Sequence, residues 1–224
     1  MRRMERDTPE PDRAALIEAL SVFGLILTYI WKIRLFHPWR WIWIAAIVVL
    51  SHTIRREGAA ALGLGAGQLR TAFAALAPWV GLLAAILLAG GALLDTINPV
   101  VLRRAPGSLA VYLVWGLLQQ WILNGYFLNR LRQAGGGRRA PFLAALLFSL
   151  AHLPNPFLMA LTLPGGYLAA RLFLRYRSLW LLGAAHGLLG FLLNLVVPDP
   201  VSGRFLVGPR YILHQFGTYP EALI

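Results

Sequence analysis

Three amide side chains and two histidines occur in segments that are otherwise apolar, and these residue types could do chemistry on a peptide carbonyl or on water. The segment GLLQQWILNGYFLNRLR contains Gln119, Gln120 and Asn124. On a helix, Gln120 and Asn124 lie one turn apart on the same face, with Gln119 beside them. Two later apolar segments contain His152 and His186. We expect these residues to converge on one site, since polar groups in apolar helices face other protein.

The composition is that of a membrane protein. Hydrophobic residues make up 58% of the 224 residues and charged residues only 13%, which is too apolar for an ordinary soluble domain. The net charge of +12 does not indicate a nucleic-acid partner, because the arginines fall in short clusters between apolar runs, as juxtamembrane anchors do. The chain has no cysteine, so disulfide and thiolate chemistry are excluded.

Apolar runs at regular intervals predict a helical fold. We expect an all-α, polytopic membrane bundle of about seven transmembrane helices, with eight as the alternative count. The runs cover residues 14–31, 39–52, 71–94, 108–128, 140–153, 157–174 and 178–197. The glycine- and proline-containing stretches between them, including residues 58–68, 95–106 and 135–139, are predicted to be loops.

The runs also suggest an organisation and an orientation. We predict a flexible cytoplasmic tail, N-terminal transmembrane helices, a core of four membrane helices and a C-terminal tail, at residues 1–13, 14–106, 107–197 and 198–224. Seven spans put 14 of the 21 Lys and Arg residues on the side of the N-terminus. The positive-inside rule therefore places the N-terminus in the cytoplasm, and we expect the protein in the inner (plasma) membrane.

The predicted spans place the polar residues at one depth. Counted from the nearest arginine at each predicted cytoplasmic end, including Arg130, the residues Gln119, His152 and His186 lie roughly 13–20 Å into the membrane at about 1.5 Å per residue. This common depth near the midplane supports convergence.

Several of these residues also have a purely structural interpretation. Membrane amides form interhelical hydrogen bonds worth roughly 0.6–2 kcal/mol each, and a membrane histidine can be a packing residue. His37 and His52 stand near predicted helix ends and are interpreted as interfacial. Gly183 and Gly187 form a GxxxG pair, which favours close helix packing. Glu18, in the first turns of the first run, is interpreted as a carboxylate at a helix end.

The order of these motifs resembles a known family. A paired-residue motif on one helix is followed by FxxxH, with Phe148 and His152, and then by a helix that contains His186. This order resembles the CPBP family of intramembrane proteases, which includes the CAAX prenyl endopeptidases and bacteriocin-processing or immunity proteins. The resemblance covers about residues 107–197.

The chain departs from the family pattern at two motifs. The family implies two glutamates followed, after three variable residues, by an arginine, and this chain has Gln119, Gln120 and Asn124 there. The family also implies an asparagine or similar residue four positions after the last histidine, whereas Asn194 follows His186 by two turns. We include Phe148 and Asn194 as accessory site residues.

The resemblance implies hydrolysis of a peptide bond near the membrane face, in a membrane-associated or prenylated protein or peptide, by water that glutamate and histidine activate. It implies no cofactor, and membrane lipid is an expected partner. A glutamine amide can orient water or donate to an oxyanion, but it is not a useful base. Residues 96–198 contain no carboxylate. The base must then be His152, His186, or Glu18 if the first helix packs beside the site.

Three functions follow as alternatives. The first is an intramembrane endopeptidase in which Gln119 and Gln120 orient groups around His152 and His186. The second is a catalytically inactive relative that binds a membrane protein or lipid. The third is a metal protein that uses the two histidines, but amides are poor zinc ligands and we expect no metal site. The oligomeric state is left open.

Overall fold

The computed structural model describes residues 11–216, and all regular structure in that range is helical. Most of the predicted flexible tail (1–13) and the end of the predicted C-terminal tail lie outside the described residues. The helices are α1 (Arg13–Thr28), α2 (Trp41–Ile54), α3 (Leu69–Leu93), α4 (Pro99–Arg103), α5 (Ala105–Gln120), α6 (Asn129–Leu131), α7 (Ala140–Leu150), α8 (Pro156–Tyr176), α9 (Leu179–Val196), α10 (Asp199–Ser202) and α11 (Pro209–Phe216). The all-α prediction is confirmed.

Short segments of other helical types join these helices. π-Helical segments lie at Tyr29–Ile33, Trp121–Leu128 and Arg132–Gly136, and 3-10 turns lie at Pro38–Arg40, Gly137–Arg139 and Gly203–Phe205. The segment Trp121–Leu128 makes α5 and α6 parts of one continuous helical rod. π-Helical turns are rare and occur frequently at functional sites.

Four helices in the described range are long and apolar enough to cross a membrane: Arg13–Ile33, Leu69–Leu93, Pro156–Tyr176 and Leu179–Val196. Each of the seven predicted runs contains a helix, but α2 has 14 residues and α7 only 11. At about 1.5 Å per residue these two helices are shorter than the roughly 30 Å hydrocarbon core. The chain is an integral membrane protein, and the predicted count of seven or eight spans is not confirmed.

The predicted loop at 95–106 contains helix instead. Asn98 caps α4, because its side-chain oxygen accepts hydrogen bonds from the backbone N–H groups of Val100 and Val101 at 3.0 and 3.2 Å. Pro99 and Pro106 both stand in the first turn of a helix, where proline favours a helix start. The prediction of a loop was wrong because these prolines begin helices.

Glycines let α5 and α9 approach at backbone distance. A Cβ atom added to Gly116 would lie 2.5 Å from the backbone nitrogen of Gly187, and one added to Gly187 would lie 2.5 Å from the carbonyl oxygen of Tyr112. No other residue type fits such a contact. The packing interpretation of Gly183 and Gly187 is therefore supported, and it sets the amide-bearing helix directly against the helix of the second histidine.

The turn between α6 and α7 reverses the chain toward the other histidine. Gly135 and Gly137 have φ angles of +84° and +45°, which glycine adopts readily. The predicted turn at 135–139 is therefore observed. It returns α7 against α8, and a Cβ at Gly166 of α8 would lie only 3.3 Å from the Phe148 ring.

Candidate functional site

The close packing of α5 and α9 brings three of the predicted site residues into one hydrogen-bonded chain. The Gln120 side-chain nitrogen lies 2.9 Å from Nδ1 of His186. The Asn124 side-chain nitrogen donates to the Gln120 oxygen at 2.6 Å. Gln120 and Asn124 are 3% and 0% exposed. The amides thus face protein, as the sequence predicted, and one of them contacts a histidine 66 residues further along the chain.

Phe148 joins the second histidine to this group. The Nδ1 atom of His152 lies 2.7 Å from the backbone carbonyl oxygen of Phe148. The Phe148 ring is edge-on to both histidine rings, with centroids 4.8 Å from His152 and 6.0 Å from His186. The FxxxH spacing therefore places the phenylalanine between the two histidines, where it fixes the position of both rings.

The C-terminal segment holds the turn that carries His152. The Asn155 side-chain nitrogen donates to the carbonyl oxygens of Ser202 and Leu206 at 2.8 and 3.1 Å. The Gly208 backbone N–H donates to the Leu153 carbonyl at 2.8 Å. Asn155 also caps α8 through a bond from the Leu158 N–H at 3.1 Å. The position of His152 thus depends on residues from both sides of the turn.

Gln119 and Asn194 do not join the site. Both side chains are partly exposed, and neither makes a hydrogen bond with another described residue. The structure therefore separates the glutamine pair, since only Gln120 contacts a histidine. Asn194 lies two turns beyond His186 on α9, past the hydrogen-bonded chain.

The hydrogen-bond partners determine where the neutral histidines carry their protons. A carbonyl oxygen can only accept, so His152 must donate from Nδ1, which leaves a lone pair on Nε2. The Gln120 oxygen already accepts from Asn124, so the Gln120 nitrogen donates to Nδ1 of His186, whose proton is then on Nε2. The Nε2 atom of His152 can therefore accept a proton, and the Nε2–H of His186 can donate one.

A buried ionic network beside the site was missed by the sequence analysis. Arg130, at the predicted cytoplasmic end of the fourth apolar run, is 0% exposed and so lies within the protein. Its Nε donates to Glu18 at 2.9 Å and its Nη1 to Glu57 at 2.6 Å. Its Nη2 donates to the Ser51 hydroxyl at 2.6 Å, and its guanidinium lies 5.1 Å from the centroid of the Tyr126 ring.

The same network supplies the hydrogen-bond partners of Glu18 and His52. Glu18 also accepts hydrogen bonds from Ser51 and Arg55, so its carboxylate faces Arg130 and is not a base for the histidines. His52 is 5% exposed and its Nδ1 lies 2.6 Å from Glu57. The centroid of its ring lies 5.8 Å from that of Trp121, so His52 packs against protein, and its interfacial position stays a prediction.

Hydrogen bonds within the network lower the pKa of two of its carboxylates. Burial raises the pKa of Glu57, but hydrogen bonds from Arg130 and His52 outweigh this effect and hold the pKa below its ordinary value. The hydrogen bond from Arg55 likewise lowers the pKa of Asp12. One signal in the sequence could have revealed the network: Glu18 lies in an apolar run and Arg130 lies just after another, and opposite charges in such places usually pair.

The histidines are the two side chains at the site that commonly bind metals. Within residues 11–216, no third histidine or carboxylate joins them in a group of three ligands. A zinc ion at this position would have amides as its remaining protein neighbours, which zinc disfavours.

Comparison with known proteins shows what part of this chain is similar to. Residues 102–192 match the family model described as Type II CAAX prenyl endopeptidase Rce1-like. No curated protein and no solved structure matches the chain. The matched residues run from the end of α4 into α9 and include Gln120, Asn124, Phe148, His152 and His186. This match confirms the predicted resemblance to the CPBP family, which includes the CAAX prenyl endopeptidases, over residues 102–192.

Proposed function

We propose that this protein is an intramembrane endopeptidase of the CAAX-processing type, which cleaves a peptide bond near the membrane with activated water. The observation that carries the proposal is the 2.9 Å contact between Gln120 and His186. It links the helix of the paired-residue motif to the last histidine helix and leaves the other nitrogen of that histidine without a partner among the described residues. The family match supports the same reaction class.

His152 is the general base in this proposal. Its Nε2 has a lone pair, because Nδ1 donates to the Phe148 carbonyl. A water molecule between this nitrogen and the substrate would transfer its proton to Nε2 as its oxygen attacks the carbonyl carbon. A general base of this kind contributes roughly 10²–10⁴-fold to a rate. Histidine thus takes the role for which residues 96–198 offer no carboxylate.

His186 stabilises the charge that develops on the carbonyl oxygen. Its Nε2–H can donate to that oxygen, because Gln120 occupies Nδ1. When the carbon–nitrogen bond breaks, the proton held by His152 passes to the leaving amine, which balances the reaction. Gln120 and Asn124 act as positioning residues, since they set the proton position and the orientation of the His186 ring. A preorganised donor of this type is worth roughly 10²–10³-fold.

The membrane arrangement belongs to the same proposal. We place all seven apolar segments across the membrane, where the short helices α2 and α7 require a locally thinner hydrocarbon core. The N-terminus lies in the cytoplasm and the protein in the inner membrane. Its substrates are membrane-associated or prenylated proteins or peptides, which reach the site from the lipid.

Comparison of protein termini tests the function without a known substrate. New termini are measured in membranes from cells that express the native chain, His152→Ala, His186→Ala or the control His37→Ala. We expect a set of termini present with the native chain and the control and absent with the first two variants. Identical termini in all four samples would reject the protease and favour a non-catalytic binding protein.

A further inference from the structure

A cleft of about 300 Å³ opens beside the ionic network, at the ends of two helices that could cross the membrane. It is distinct from the histidine site. Glu57, Ala61, Asn129, Arg132, Gln133 and Arg177 line it. Arg177 stands in the two-residue connection between α8 and α9, so the cleft lies where the chain leaves the membrane. Trp180, three residues later, is 46% exposed, and tryptophan prefers the headgroup level.

One arginine in the cleft is held in place with much of its donor capacity free. Arg177 Nη1 donates to the Ala61 carbonyl at 3.2 Å and to the Asn129 side-chain oxygen at 3.3 Å. Its guanidinium packs 5.1 Å from the centroid of the Phe173 ring. Its Nε and Nη2 make no hydrogen bond within residues 11–216. A guanidinium held by one nitrogen can offer its other N–H groups to a ligand with little further loss of side-chain entropy.

The second arginine brings a second positive charge with no described partner. Arg132 is exposed and makes no ion pair with a described residue. Arg132 and Arg177 both line the cleft. Burial lowers the pKa of Arg177, and the positive charge of Arg132 lowers it further. Two like charges in one cleft favour an anion between them.

The carboxylate in the cleft does not satisfy these cations. Glu57 accepts from Arg130 at 2.6 Å and from Gln133 at 2.9 Å with one oxygen. Its other oxygen contacts His52 at 2.6 Å. Both oxygens are therefore engaged away from Arg132 and Arg177, and the cleft retains a net positive charge.

We propose that this cleft binds a phosphate group, presented by an anionic lipid headgroup at the membrane surface on the side of the N-terminus. Arginine forks match phosphate oxygens in geometry and charge, and Asn129 and Gln133 add polar neighbours. The site would fix the connection between α8 and α9, and so the start of the helix that carries His186.

The test uses the full chain in nanodiscs of equal phosphatidylglycerol and phosphatidylcholine. Native mass spectrometry measures the lipids that stay bound after extraction, for the native chain, Arg132→Gln, Arg177→Gln, the double variant and the control Arg139→Gln. Arg139 is exposed on the same predicted side and does not line the cleft. We expect the double variant to retain about tenfold less phosphatidylglycerol, the equivalent of a loss of about 1.4 kcal/mol, and the control to match the native chain.

A second arm separates the two sources of phosphate. Inorganic phosphate is titrated into the detergent-solubilised chain and followed by phosphorus NMR. Arginine-dependent retention of the lipid supports the headgroup, and arginine-dependent binding of inorganic phosphate alone supports a phosphate site that takes the free ion. The proposal is overturned if the double variant keeps both, or if Arg139→Gln loses as much as the double variant. Arg132→Gln alone keeps the test valid if Arg177 variants fail to fold, because the Arg132 side chain makes no hydrogen bond or ion pair with a described residue.

Discussion

At the residue scale, Gln120 shows what an amide can do in a place where the family pattern implies a carboxylate. It uses its oxygen for Asn124 and its nitrogen for His186, so it bonds to both neighbours without any charge. A carboxylate at the same position could only accept, and it would require the proton of His186 to move to Nδ1. The identity of residue 120 therefore decides which nitrogen of His186 is available to substrate.

This argument predicts a loss of activity for Gln120→Glu. The new carboxylate would lie beside Nδ1 of His186 and draw the proton of the ring to that nitrogen, so that Nε2 could no longer donate to the carbonyl oxygen of the substrate. We expect new termini to appear roughly 10²–10³-fold more slowly than with the native chain, which is the effect of losing one such donor. Quantitative analysis of protein termini measures the rate.

Gln119→Glu is the matched control for that change. It introduces the same charge one residue away, but the Gln119 side chain makes no hydrogen bond to a described residue. We expect its rate to stay at the native level. Equal losses from the two variants would contradict the assignment of Gln120 as the glutamine that acts on His186.

At the scale of elements, the site depends on how closely α5 and α9 pack. Gly187 directly follows His186, and Gly116 stands one turn before Gln120. Side chains at either glycine would collide with backbone atoms of the other helix. The contact between the amide and the imidazole thus exists because glycines keep the two backbones together.

Gly187→Ala should therefore disrupt the site without changing any polar group. Its Cβ would lie 2.5 Å from the Tyr112 carbonyl oxygen and 2.6 Å from Cα of Leu113, so the helices must separate. We expect a loss of about 1–3 kcal/mol in stability, as overpacking costs, together with loss of the native termini. Thermal unfolding in detergent measures the first effect. Gly90→Ala in α3, where no atom lies within 4 Å of the added Cβ, should match the native chain in both assays.

The sequence allowed the helices to be predicted better than their contacts. Apolar runs located every long helix, and the order of motifs identified Gln120, His152 and His186 as partners, because those signals are local or follow a family pattern. Gln119 and Gln120 are neighbours on α5 and point about 100° apart. Which of the two faces α9 could not be predicted, since it depends on how the two helices pack. The ion pairs of Arg130 were also not predicted, because its partners Glu18 and Glu57 are 112 and 73 residues away in the sequence.

At the scale of the whole molecule, the ionic network joins the N-terminal helices to the core. Arg130 forms ion pairs with Glu18 of α1 and with Glu57 in the connection after α2. Arg55 extends the network to Asp12, just before α1, at 2.8 Å. A buried charge that loses its partner is costly, typically about 3–5 kcal/mol, so the network makes the relative position of these segments specific.

The network predicts a loss of stability in acid. Because the folded-state pKa of Glu57 is lowered, its contribution is complete above its unfolded-state pKa and disappears as the pH falls through the folded-state pKa. Glu57→Gln should be about 1–3 kcal/mol less stable at pH 7, and this difference from the native chain should shrink as the pH falls. Thermal unfolding from pH 7 to pH 3 measures it.

Asp95→Asn provides the control for that titration. Asp95 is exposed and makes no side-chain hydrogen bond to a described residue. Its removal should leave the stability of the chain the same as that of the native protein at pH 7. A constant gap between Glu57→Gln and the native chain down to pH 3 would contradict the assigned role of Glu57.

The position of Arg130 bears on how this protein could be divided or recombined. Residues 102–192, which match the family, include Arg130 but neither Glu18 nor Glu57. Excised alone, that segment would keep a guanidinium in its interior with both counterions removed. The segment that matches the family model is therefore shorter than the segment that must stay together for Arg130 to keep its partners. A chimera that exchanges the first hundred residues with those of a relative would have to retain both glutamates together with the arginine.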